Sequence, residues 1–368
     1  MPLLRRRSVF AAKTETVAGT AVALAAADGA YNARDFMIQP VVAMTRREGQ
    51  GGFNFYPSIP EALSGTCTVV HDLAYDGLAI PTWASVLLPA CGWVATGGVF
   101  SPVSQGPGSG GVKTLTIGHY KDGKLAQISG AMGTFVITFE TGKVAYITFT
   151  FTGKYSIKET DVALIAPVYP TTLPMRFAQG AFTYNAFPLC TAVAAVDAGN
   201  TVIMRECVNA TDPSGYVSAV VTNRAPIITA DPESVLVAQQ DRSGIWLAST
   251  PNPLSIMVGT AAASITVAAP KAQIENKQQG NRSDLMVDDL TFLATAARLL
   301  TRNSQSPLPR SFNLCLCFLN PDRNIPSSST AMPTSRRTSS RRSLPNHNRC
   351  EDSRKSGKSS TCGLTSLI

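Results

Sequence analysis

The chain has 368 residues with 28 Gly, 24 Pro and only 15% charged residues, enough for one large or two medium domains and rich in turn formers. Its net charge of +8 is carried in one place: from Arg302 onward eleven Lys and Arg face three acids, so residues 1–301 are neutral, which excludes a body that grips nucleic acid through its overall field. No apolar run reaches the ~18–20 residues that cross a bilayer, and the eight cysteines include no C-x-x-C pair of a zinc or redox site.

At the N-terminus Arg5-Arg6-Arg7 precedes the mildly apolar Val17 to Ala27. Two readings are open there, an export signal or a first strand followed by a loop. Asp35 to Glu48 has strand character, and a Gly-rich polar loop follows from Arg46 to Pro60. Three aromatics, Phe53, Phe55 and Tyr56, sit in that loop. A solvated loop gains little from them, so they are expected to be covered by a neighbouring subunit. Gly65 to Asp72 alternates. Pro81 to Cys91 places Trp83, Leu87 and Cys91 at helical spacing and stops at Gly92. Strands are expected at Val112 to Tyr120 and Leu125 to Ser129, with Lys121-Asp122-Gly123-Lys124 turning between them.

The strongest pattern in the chain is GTFVITFETGKVAYITFTFTGKY, Gly133 to Tyr155. Phe135, Ile137 and Phe139 alternate with Val136, Thr138 and Glu140. After Thr141-Gly142 the period of two resumes with Ile147, Phe149 and Phe151. This is a long hairpin with one apolar face and no catalytic side chain beyond a single Glu.

The second half repeats this order of elements. Strands are expected at Thr201 to Asn209 and Gly215 to Asn223. A helix comes next through Ser234 to Gln240, with Asp231 as N-cap and Pro232 at N1. Strands close the half at Leu254 to Gly259, Ser264 to Ala269, Lys271 to Lys277 and Leu285 to Leu293. The chain therefore reads as mainly β, with a first domain over 1–160, a second over 161–301 that is a possible duplicate of the first, and a tail over 302–368. The tail holds fifteen Ser, six Pro and two Gly among its Arg pairs. Such a composition cannot bury a core and reads as disordered, so its removal is expected to leave the body's stability unchanged.

Catalytic chemistry finds little support. His71 and His119 fall inside strand patterns with no nucleophile elbow elsewhere. Gly106 to Thr114 imitates a phosphate-binding loop, but Val112 separates the last Gly from Lys113 and a strand pattern comes next in place of a helix. Asp284, Asp288 and Asp289 lack the surrounding acids of a calcium loop. The expectation is a protein that is not an enzyme and carries no cofactor and no metal.

Several segments in order resemble one family. Lys13-Thr14-Glu15-Thr16-Val17-Ala18-Gly19-Thr20 is similar to the opening K-x-E-T-x-x-G-T of the tail tube proteins (major tail proteins) of long-tailed bacteriophages. Leu87-Leu88-Pro89-Ala90-Cys91-Gly92 resembles their L-L-x-A-C-G helix end, with Trp93 where they carry Phe. Gly130 to Thr134 with Phe149 to Gly153 resembles their G-x-x-G-T and F-x-F-x-G hairpin. Lys271 to Ile274 and Asp289 to Phe292 resemble their closing strands. The resemblance covers residues 13 to about 296, and the basic tail departs from the family's short acidic C-terminus.

The resemblance implies a β-sandwich or barrel-like subunit with a flanking helix. Its copies would form a hexameric ring, or a trimeric pseudo-hexameric ring if the fold is duplicated. Rings would stack into a tube around a tape measure protein, meet tail terminator and baseplate proteins, and pass DNA through the lumen without specific binding. Assembly would take place in the bacterial cytoplasm and the product would reside in the virion, with no membrane involved. The hairpin would join neighbouring sheets, which makes Phe135, Ile137, Phe139, Ile147, Phe149 and Phe151, with Phe53, Phe55 and Tyr56, the expected subunit interface. Two other readings are a secreted β-sandwich adhesin, which requires a cleaved N-terminus, and a nucleic-acid-binding protein whose affinity lies in residues 302–368.

Overall fold

The computed structural model describes residues 3–104, 110–155, 158–210, 212–260 and 263–295, and the backbone of Cys315–Leu319. The fold is mainly β, built on antiparallel pairing. The first half contributes β1 (Ser8–Thr14), β2 (Ala33–Glu48), β3 (Phe55–Asp72), helix α1 (Thr82–Ala90), β4 (Trp93–Thr96), β5 (Val99–Pro102), β6 (Leu115–Lys121), β7 (Lys124–Glu140), β8 (Tyr146–Lys154) and β9 (Thr160–Asp161). The second half contributes β10 (Ala181–Tyr184), β11 (Phe187–Pro188), β12 (Thr191–Asp197), β13 (Asn200–Glu206), β14 (Tyr216–Arg224), β15 (Ile227–Pro232), helix α2 (Arg242–Leu247), β16 (Asn252–Gly259), β17 (Ser264–Arg282) and β18 (Leu285–Ala294). A further strand, β19, is Cys315–Leu319.

The strands of the two halves pair in the same order. In the first half hydrogen bonding runs β1–β6–β7–β8–β3–β2. In the second it runs β10–β16–β17–β18–β15–β12. The two sets match strand for strand in chain order, and every pair is antiparallel. They are joined edge to edge, because the end of β7 also pairs with β12, from Val136 opposite Asp197 to Glu140 opposite Val193. The hairpin β13–β14 forms its own two-stranded sheet and packs against β7 and β8.

Turn chemistry sets the hairpins. Asp122 and Gly123 adopt φ of 38° and 106°, the two positive values a tight hairpin turn needs. The helix α1 forms where expected and buries Trp83, Leu87 and Leu88. Its last carbonyls are met from the second half: Arg224 Nη2 donates to the carbonyls of Cys91 (3.4 Å) and Gly92 (3.3 Å), and Asn200 Nδ2 donates to Cys91 (2.8 Å). Arg224 also donates to Asn200 and lies over the Trp93 ring. Burial depresses its guanidinium to about 10.

The N-terminus takes shape, and three expectations change. Residues 8–14 form a strand paired with β6, and the stretch from Val17 is irregular until a 3-10 turn at Ala26–Gly29. The segments Ser264 to Ala269 and Lys271 to Lys277 are one strand, with Pro270 sitting where pairing to β16 skips from Ala269 to Ala272, a position that demands no ladder N–H. The helix expected over Ser234 to Gln240 is absent: Asp231 lies within a strand that ends at Pro232, and its carboxylate accepts from Thr191 Oγ1 (2.6 Å) and from the amides of Ala192 (3.0 Å) and Val193 (2.8 Å). These donors belong to β12, so the acid caps another strand. The helix starts ten residues later, at Asp241, whose side chain accepts from the Gly244 amide at 2.7 Å.

The third change concerns the tail. Cys315–Leu319 pairs with Ser264–Ala268 of β17 and with Val99 and Phe100 of β5. A five-residue apolar run was enough to fill an open edge, although the composition of the surrounding segment has no core-forming capacity. The remainder of 302–368 lies outside the described residues.

Candidate assembly surface

The hairpin β2–β3 is far longer than the sequence pattern indicated. Near its base β3 is sandwiched between β2 and β8, from Ser64 to Asp72. Further out only two strands remain, paired from Val42 opposite Leu63 to Glu48 opposite Phe55, and the tip closes through the Gly49 amide and the Asn54 carbonyl. The segment read as a loop from Arg46 to Pro60 is therefore mostly the end of a ribbon. An isolated two-stranded ribbon is marginal in water. This one is also apolar: Met37, Val41, Met44, Phe55, Tyr56 and Ile59 are each at least half exposed, and Phe53 at the tip is fully so. Within β2 only Ile38 is buried.

The arm carries its own restraints. Pro40, Pro57 and Pro60 lie along it, and proline on a strand edge withholds the donor that unwanted pairing requires. The Arg47 guanidinium stands over the Tyr56 ring, 5.6 Å from its centre, and Thr45 donates to Glu61. These contacts hold the arm together without covering its apolar faces.

The hairpin side chains are placed differently from expectation. Phe135, Ile137, Phe139, Ile147, Phe149 and Phe151 are all buried within the chain's own core. Trp93 packs edge-on to Phe135 at 5.3 Å, Phe149 stacks on Phe151 at 5.7 Å, and Phe139 meets Phe177 at 5.2 Å. Their alternation marks the inner face of the sheet, and α1 with the second-half strands covers it. Of the nine side chains assigned to the interface, the structure thus exposes Phe53, Phe55 and Tyr56 and internalises the other six.

The polar clusters are structural in geometry. Glu15 is buried, and its two oxygens accept from the Gly19 amide (2.7 Å), Thr114 Oγ1 (2.6 Å), Thr116 Oγ1 (2.8 Å) and the Gly130 amide (2.7 Å). Gly19 and Gly130 both have positive φ, and a Cβ on Gly19 would fall 1.9 Å from the Val217 carbonyl oxygen. The Lys13 to Thr20 motif is thus a knot tying β1 to β6, β7 and β14.

Asp288 is paired with Arg242 (2.8 Å) and Lys277 (3.0 Å). Burial raises its carboxyl, but the hydrogen bonds from Lys277 and Arg242 outweigh that and hold it below the ordinary value. Among the described residues no group of three His, Cys, Asp or Glu is arranged to hold a metal ion.

His71 and His119 do not approach each other's chemistry. Burial lowers His71 to about 4, opposed by its hydrogen bond to the Asp72 carbonyl, and its ring lies 5.6 Å from Trp83. Burial and the nearby Lys121 lower His119 to about 4; its ring meets Phe36 edge-on at 4.8 Å. The thiols of Cys67 and Cys91 are buried and raised by desolvation. The phosphate-loop imitation at Gly106 to Thr114 falls partly outside the described residues, and its described end leads directly into β6. No helix of the described residues is long and apolar enough to cross a membrane.

Two further features have no clear signal in the sequence. One is the apolar length of the arm, marked only by strand character on both sides of the Gly49 to Gly52 tip. The other is a pair of unfilled sheet edges at the outer side of β2 and the end of β17. Among the described residues β2 pairs with β3 alone, and β17 beyond Asn276 pairs with β18 alone. Comparison of the sequence with protein-family models and with curated proteins finds no match.

Proposed function

We propose that this chain is a structural subunit that assembles with copies of itself into stacked rings forming a phage tail tube. The observation that carries the reading is the edge-to-edge joint between two topologically equal strand sets in one chain: a unit that meets its own repeat in this way is built to meet further copies. The exposed arm supports the same reading. Its apolar residues gain about 1.5–3 kcal/mol for each large side chain covered by a neighbour, and an uncovered apolar ribbon is an interaction surface. The neutral body fits a lumen through which DNA slides without phosphate-by-phosphate retention.

On this reading the protein is not an enzyme. Its partners are other copies of itself, a tape measure protein, and the terminator and baseplate proteins at the tube ends; it is assembled in the bacterial cytoplasm and resides in the virion. Electron microscopy of negatively stained protein together with analytical ultracentrifugation tests the proposal. Rings or tubes are expected. A strictly monomeric species at high concentration, for both the full chain and a chain ending at residue 319, would overturn it.

A further inference from the structure

The internal joint predicts where the next copy binds. A common bulge fixes the equivalence of the two strand sets: pairing steps from Leu115 opposite Ala131 to Ile117 opposite Ile128 in the first, and from Asn252 opposite Ala272 to Leu254 opposite Ala269 in the second. Phe151 of β8 pairs with Gly133 of β7 and Cys67 of β3, whereas Phe292 of β18 pairs with Ile274 of β17 and Ile228 of β15. Allowing for the register shift between Ile274 and Asn276, the joint residues Val136 to Glu140 of β7 correspond to Gln278 to Arg282 of β17. Ile38 faces Cys67 as Val196 faces Ile228, so the joint residues Val193 to Asp197 of β12 correspond to Asp35 to Gln39 of β2. In the first set the β7 edge is occupied by β12. In the second set the equivalent β17 edge is vacant among the described residues, and so is the outer edge of β2.

We infer that the outer edge of β2 in one copy pairs antiparallel with the end of β17 in the next, repeating the β7–β12 joint between molecules. The internal joint sets the register: Gln39 opposite Gln278, Ile38 opposite Gln279, Met37 opposite Gly280, Phe36 opposite Asn281 and Asp35 opposite Arg282. This intermolecular joint rests on the self-assembly reading and names the surfaces that assembly would use.

Chemistry at the two edges agrees. Gln278-Gln279-Gly280-Asn281 holds no charge and no proline, the devices that keep sheet edges from pairing. Gln278, Gln279 and Asn281 are exposed, as are Met37 and Gln39 on the other edge. The proline guard on β2 begins only at Pro40, one residue beyond the proposed joint. Donor and acceptor edges are different surfaces, so the contact is head to tail and propagates until a ring closes.

Disulfide trapping in the full chain tests it. In a background with Cys190, Cys207, Cys315, Cys317, Cys350 and Cys362 each replaced by Ser, which leaves only the buried Cys67 and Cys91, the pair Gln39→Cys and Gln278→Cys should yield covalent ladders under mild oxidation. Gln39→Cys with Gln279→Cys, one residue out of register and on the opposite face, should not. Each variant carrying only one of the two introduced cysteines sets the background. Assembly with no ladder at 39/278, or with equal ladders in both registers, would overturn the joint while leaving the tube reading intact. Failure of the parent protein to assemble at all would overturn both.

Discussion

At the scale of single residues, buried polar groups define the weak points. Glu15 satisfies two backbone amides and two hydroxyls, three of them at buried contacts. Glu15→Ala should cost at least about 3 kcal/mol, since each buried donor left unmet costs about 1–3 kcal/mol, and a urea melt reads the loss directly. Glu15→Gln, which replaces an acceptor with a donor, should fall between the parent and the Ala variant.

His71 makes a prediction in pH. Its folded-state value is depressed to about 4 from 6.5, so the unfolded chain binds the proton first. Stability should then fall as pH drops from about 6.5 to about 4, by up to about 3 kcal/mol for this residue. Thermal melts across that range should show a shallower decline in His71→Gln. An equal decline in both would mean that other groups set the acid sensitivity.

At the scale of elements, the two aromatic sets should respond in opposite ways. Replacing Phe53, Phe55 and Tyr56 with Ser should leave the melting of the isolated subunit unchanged, because all three are exposed, while blocking the assembly that the proposed function requires, read by light scattering. Phe149→Ala should cost about 3–5 kcal/mol through the cavity it leaves and reduce assembly only by unfolding the subunit. If the triple Ser variant unfolds the monomer, the arm belongs to the subunit's own core. If it assembles as well as the parent, the arm is not an assembly surface.

At the scale of the whole molecule, the tail divides at β19. A chain ending at residue 319 should melt with the parent, since residues 320–368 are Ser- and Arg-rich and hold little to pack. A chain ending at residue 301 also loses β19 from the edges of β17 and β5. It should be less stable by roughly 2–4 kcal/mol, at about 1 kcal/mol per ladder hydrogen bond. Equal melting of the two truncations would show that the strand adds nothing to the body.

The sequence by itself determined the class of the fold, most strand positions and α1, because period-two alternation and turn chemistry are local properties. Phe135 to Phe151 advertised a buried face through spacing alone. Local pattern does not reveal what covers that face, so the six hairpin side chains read as interface when the chain's own strands and α1 enclose them. Asp231-Pro232 carries every local mark of a helix start, yet the donors that claimed the carboxylate lie forty residues away in sequence, on β12. The joint of β7 with β12, and the edges of β2 and β17 left unpaired among the described residues, were decided only in the tertiary structure. Backbone edges have no residue signature of their own, and whether an edge is filled depends on which distant strand arrives beside it.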